Sequence, residues 1–143
     1  MDRRSFNTCA AGILIGSSLP LYGKQDRIRI GQIGLAHPHA SGKLKAVQSL
    51  PETYELVGVV EPDLSLRKRA QEVTFISLDQ LMNAKGLQAV VIETGVKDLV
   101  TTALPVVEAG KHIHLDKPAG PTLAPFEKLL ESAKRQGLAV QMG

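Results

Sequence analysis

From Arg27 onward the chain alternates short β-branched runs with longer amphipathic stretches, and this rhythm narrows the possible folds more than any other feature. Short apolar runs separated by segments of helical periodicity are the pattern of parallel strands joined by crossover helices. Strands are predicted near Ile28–Ile33, Glu55–Val60, Thr74–Ile76, Ala89–Ile92, His112–Leu115 and Ala139–Gln141, with helices in the gaps. Ser77 with Gln80 forms a capping box for a short helix, Gly110 and Gly137 are helix stops, and Pro121-Thr122 opens the last helix. The first strand, turn, helix and second strand have the length of one βαβ unit, whose crossover is right-handed almost without exception. The expected fold is α/β: a doubly wound parallel sheet of about six strands with helices on both faces, in three layers.

A chain of 143 residues has room for one such domain, and 43% hydrophobic with 22% charged residues supplies an ordinary globular core. The formal net charge is only +3, and the one dense basic group is Arg67-Lys68-Arg69. Tryptophan is absent and aromatics make up 3%, so there is neither a basic stripe nor a stacking platform, and nucleic acid is not the expected partner. A single cysteine, Cys9, excludes an internal disulfide framework and a thiolate metal cluster.

Residues before the first strand follow a different logic. Arg3-Arg4-Ser5-Phe6 precedes an uncharged run from Ala10 to Leu21, interrupted by Gly12, Gly16 and Pro20. The run falls short of the roughly 20 apolar residues that span a bilayer, so no stable membrane span is expected. It resembles a twin-arginine signal, an address for proteins exported after folding. Residues 1–26 are therefore expected to be signal and linker and 27–143 the folded domain, placing the protein in the periplasm if the signal is used and in the cytoplasm otherwise.

The first predicted strand runs into Gly34-Leu35-Ala36-His37-Pro38-His39, where a Rossmann-like fold carries Gly-x-Gly-x-x-Gly. That chemistry needs a tight turn, backbone N–H groups close to a pyrophosphate, and a helix N-terminus facing the anion. Gly34 supplies the turn and Ala36 is small enough to admit a phosphate beside His37. His39 stands where a small residue normally allows close packing, which predicts a helix start near Ala40-Ser41-Gly42. The second strand ends in Glu61-Pro62-Asp63, and Glu61 is placed to accept hydrogen bonds from an adenosine ribose and to repel a 2′-phosphate. NAD is thus expected over NADP, with the downstream basic triplet tempering the preference.

The segment Glu108-Ala109-Gly110-Lys111-His112-Ile113-His114-Leu115-Asp116-Lys117-Pro118 resembles the Gly-Lys-His-Val…Glu-Lys-Pro segment of the glucose-fructose oxidoreductase and inositol 2-dehydrogenase (Gfo/Idh/MocA) family, with Asp116 in place of the usual Glu. The resemblance extends from Arg27 to Gly143. It implies an NAD-binding Rossmann domain of an oxidoreductase acting on a small sugar, polyol or related hydroxyl compound. By the same resemblance Lys117 lies beside both the nicotinamide and the substrate and assists proton transfer, Pro118 shapes the turn next to it at the cofactor, and Thr94-Gly95 lines the nicotinamide side of the cleft. A lysine held in a partly desolvated cleft at a strand's C-terminal end has its charged form disfavoured, which suits that role. Thr94 is followed by Gly95 and then Leu99 where family members commonly carry Thr-Pro and a later His, so those contacts differ here.

Two further expectations concern what the sequence does not supply. His37 and His39 invite a metal reading, but two imidazoles on a glycine-type turn with no carboxylate or cysteine cluster nearby rarely suffice, so none is predicted. In the family the chain continues after a sixth strand into an antiparallel sheet that carries substrate-binding groups. Here Gly137–Gly143 reads as that sixth strand. The expectation is either a truncated or split gene product, cut before the C-terminal domain, or a cofactor-binding half whose substrate domain comes from a separate chain or a homo-oligomer. The alternative is a non-catalytic remnant or partner module that keeps the dinucleotide-binding fold.

Overall fold

The computed structural model describes residues 26–143; the expected signal lies outside the described residues. Five parallel strands form one sheet in the order β2-β1-β3-β4-β5. They are β1 (Ile28–Ile33), β2 (Tyr54–Val60), β3 (Ala89–Ile92), β4 (His112–Leu115) and β5 (Val140–Met142). Between them run α1 (Ala40–Gln48), α2 (Leu64–Arg67), α3 (Leu78–Met82), α4 (Leu99–Glu108) and α5 (Leu123–Gln136). The doubly wound α/β fold expected from the sequence is present, with five strands instead of about six.

The missing strand is Thr74–Ile76. It reaches the outer edge of β2 but pairs only through the single parallel bridge Val59–Phe75. Val59 N–H donates to the Thr74 carbonyl at 3.0 Å and Ile76 N–H to the Val59 carbonyl at 3.0 Å. The pairing cannot lengthen because Ser77, immediately after it, caps α3. Its side chain accepts from Gln80 N–H at 3.1 Å while the Gln80 side chain accepts from Ser77 N–H at 2.8 Å, and these two bonds satisfy donors that would otherwise be stranded at the helix start. As expected, α1 begins at Ala40, and α5 ends at Gly137 in the left-handed conformation, with φ +64°.

The two faces of the sheet are covered unequally. Val90, Ile92, Ile113 and Leu115 point toward α4 and α5, whose buried Val100, Ala103, Val106, Val107, Leu129 and Ala133 form the larger core. On α4 the buried positions Leu99, Val100, Ala103, Val106 and Val107 recur at helical spacing, so one stripe faces the sheet. The opposite face carries a small core of Leu35, Ala40, Leu44 and Val59 under α1. Strand alternation puts Gln32, Val91, Glu93, His114 and Asp116 on that thinly covered side, opposite the apolar set of the larger core. Among the described residues no helix is long and apolar enough to cross a membrane.

Candidate functional site

β1 leads directly into Gly34, whose φ is +90°. A Cβ there would stand 2.7 Å from Thr94 N, 2.8 Å from the Glu93 carbonyl carbon and 2.9 Å from its oxygen, all backbone atoms of the segment after β3. Only glycine accepts both the dihedral and the approach. The loop that follows is held from three sides. Gly34 N–H donates to Val60 O at 2.8 Å, Leu35 N–H to Glu61 Oε2 at 2.7 Å, and His37 N–H to Glu93 O at 3.0 Å. Arg69 then donates to the carbonyls of Leu35 (2.6 Å), Ala36 (3.1 Å) and His37 (3.3 Å). Sequence reasoning missed this use of Arg69, which belongs to the basic triplet but is spent on the loop. Leu35 is fully buried, whereas Ala36 is exposed.

Beside this loop lies a cleft of about 770 Å³ at the C-terminal ends of β1, β2 and β3. Because β1 has β2 on one side and β3 on the other, the chain crosses over in opposite directions from this point, which is where open α/β sheets take their ligands. Gly34, Ala36, Glu61, Thr94 and Gly95, five of the residues singled out from the sequence, line it together with Arg67. Glu61 is buried, with Oε1 accepting from Asp63 N–H at 2.9 Å, so its carboxylate braces the turn as well as edging the cleft. The Arg67 guanidinium carbon sits 4.8 Å from the Phe75 ring centroid, within cation–π range, and Nε donates to Glu61 O at 2.8 Å.

His37, Lys117 and Pro118 are placed elsewhere. Lys117 and Pro118 are exposed beyond the end of β4, joined by a cis peptide, and the partly desolvated cleft expected around Lys117 is not formed by the described residues. His37 turns its ring away from the cleft into the thinly covered face. There its Nδ1 lies 3.5 Å from Glu93 Oε2 and 3.4 Å from Asp116 Oδ2. The exposed ring of His39 approaches the same Asp116 Oδ2 at 3.0 Å. Burial, followed by the nearby Asp116 carboxylate, pushes Glu93 up to about 8 while Lys43 opposes the rise. Burial alone would raise Asp116. The Lys117 N–H bond (2.7 Å) and the two imidazoles outweigh it and hold Asp116 below the usual carboxylate range. His114 is pushed down, first by burial and then by Lys43. The premise that no carboxylate stands near the His pair therefore does not hold. Period-2 alternation along β4 does place His114 and Asp116 on one face, but nothing in the sequence brings Glu93 to them.

The sequence profile of the Gfo/Idh/MocA oxidoreductase family, NAD-binding Rossmann fold, matches residues 28–143. The chain belongs to this family. Solved structures agree on the fold. The probable oxidoreductase yhhX is 26% identical with a TM-score of 0.71, over 80% of this chain and 35% of its own. The WlbA dehydrogenase of Bordetella pertussis, in complex with NADH and UDP-GlcNAcA, is 18% identical with a TM-score of 0.70, over 82% of this chain and 37% of its own. GenD2 from gentamicin A biosynthesis, in complex with NAD, is 19% identical with a TM-score of 0.73, over 85% and 35%. The chain thus spans about a third of the length of these relatives. No curated protein matches it.

Proposed function

We propose that this domain binds NAD in the cleft at the ends of β1, β2 and β3 and serves an oxidoreductase that moves hydride between nicotinamide and a hydroxyl carbon of a sugar, polyol or sugar derivative. The observation that carries the reading is the Gly34 turn packed against the Thr94 backbone, at the sheet's switch point and inside a family match of NAD-binding type. In this reading Gly34, Ala36 and His37 form the turn that receives the pyrophosphate. The uncapped start of α1 contributes free N–H groups and the positive end of its dipole. Glu61 meets the adenosine ribose and disfavours NADP, and Thr94-Gly95 borders the nicotinamide. NAD, when bound, supplies the hydride acceptor.

Lys117 with Pro118 then lies on the substrate side, where an exposed ammonium is available to a substrate hydroxyl once further protein closes over it. That further protein would be a substrate domain. Support for a sugar-type substrate comes from WlbA, which is described with a nucleotide sugar. The direct test is the fluorescence of NADH titrated with the protein and with Ala36→Asp, which sets a carboxylate against the expected phosphate. At least a tenfold loss of affinity is expected, on the scale of 1.4 kcal/mol. Unchanged binding by the Asp variant refutes the placement.

A further inference from the structure

The side chains gathered on the thinly covered face are short of donors. Glu93 is fully buried, and neither of its carboxylate oxygens has a hydrogen-bond partner. Burying an unpaired carboxylate costs several kcal/mol unless a proton or a cation neutralises it, and a bound metal ion would supply that charge. His37 Nδ1 faces that carboxylate and Asp116 together, and its other neighbour is His39 N–H, which donates to it in a long 3.4 Å hydrogen bond. Lone pairs on nitrogen and oxygen therefore converge from three separate segments: the loop after β1, the residue after β3 and the residue after β4.

We propose that His37, His39 and Asp116 bind one divalent first-row transition-metal ion, with the buried Glu93 facing His37 beside it; the other arrangement with this spacing, Glu93, His114 and Asp116, is the alternative the test separates. The donor atoms of His37, His39 and Asp116 all lie within 4.8 Å of one another. The closest approaches, 3.0 Å from His39 Nδ1 to Asp116 Oδ2 and 3.4 Å from His37 Nδ1 to the same oxygen, bracket the roughly 3.3 Å edge of a tetrahedron with bonds of about 2.0–2.1 Å. Two imidazoles with a carboxylate select zinc, iron, cobalt or nickel over magnesium and calcium, which prefer all-oxygen shells. The ion would tie the phosphate-side loop after β1 to the residue that follows β4. Asp116 Oδ1 also accepts from Lys117 N–H, so the tie extends to the start of the Lys-Pro turn.

The test is calorimetric titration of the untagged full chain, stripped with chelator, using Zn²⁺, with Co²⁺ absorption as a second readout and Mg²⁺ as comparison. One Zn²⁺ per chain is expected, with visible d–d bands from Co²⁺, no measurable Mg²⁺ binding, and a Tm raised by Zn²⁺ and lowered again by chelator. His39→Gln alters an exposed ring and leaves folding intact. It should weaken Zn²⁺ by at least about 100-fold, beyond the 10–100-fold that outer-shell partners are worth. His37→Gln and Asp116→Asn should do the same, with circular dichroism confirming the fold, while His112→Gln keeps full affinity. Absence of stoichiometric Zn²⁺ binding, which would mean that a shared proton satisfies the cluster, overturns the proposal. So does retention of Zn²⁺ by His39→Gln, or loss by His114→Gln with retention by His37→Gln.

Discussion

Replacing Gly34 by alanine puts the weight of the site on one methyl group. At φ +90° an L-residue pays roughly 1–3 kcal/mol in backbone strain. The new Cβ would also press on Thr94 N and on the Glu93 carbonyl at 2.7–2.9 Å, and these are main-chain atoms anchored by the sheet, unable to swing aside as a side-chain tip does. Forced overpacking of this kind costs about another 1–3 kcal/mol. The sum, about 2–6 kcal/mol, is a large share of the roughly 5–15 kcal/mol that holds a domain of this size together. Gly42 supplies the internal control: it lies inside α1 with nothing within 4 Å of its would-be Cβ, so Gly42→Ala should stabilise by up to about 1 kcal/mol. Urea denaturation of the two variants beside the parent reads both numbers on one scale. A Gly34→Ala midpoint within about 0.5 kcal/mol of the parent would mean that the β1 turn is not packed against the segment after β3, and the geometry of the cleft would fall with it.

Glu61→Ala should narrow the difference between NAD and NADP affinities and lower stability by about 1–3 kcal/mol, since Leu35 N–H loses a buried acceptor; paired titrations and urea melts check both. In metal-free protein Glu93 is protonated when folded and ionised when unfolded between its ordinary value and about 8. Stability should therefore fall as pH rises through that window, by up to about 1.4 kcal/mol per unit, and Glu93→Gln should flatten the slope of Tm against pH. Lys117→Ala should leave NAD affinity within a few fold, and in the presence of a substrate domain should lower kcat/KM by about 10²–10⁴-fold. Mass spectrometry of protein from its native host should show that roughly the first 20–30 residues have been removed; an intact terminus on cytoplasmic protein contradicts export.

The layered fold was legible because its signals are local: β-branched runs of strand length, the Ser77-Gln80 box, and glycines after α4 and α5. Thr74–Ile76 carries the same composition as the other strands, yet what shortens it is the cap that begins one residue later, a competition that strand propensity does not register. At the site, Gly34, Ala36, Glu61, Thr94 and Gly95 could be placed because a βαβ crossover fixes where each strand's C-terminal end lies. The contacts of Arg69 with three loop carbonyls, and the approach of Glu93 to His37, depend on how separate segments pack in space, and no spacing along the chain encodes them. Lys117 shows the converse. Its motif is plain in the sequence, but the desolvated surroundings expected for it are not formed by residues 26–143.

The central claim, a dinucleotide site selective for NAD, is tested most directly by isothermal titration of the full chain with NAD and with NADP at the same ionic strength. The account predicts one NAD per chain, bound more tightly than NADP, with the preference reduced by Glu61→Ala. Failure to bind either dinucleotide, or tighter binding of NADP, would contradict it.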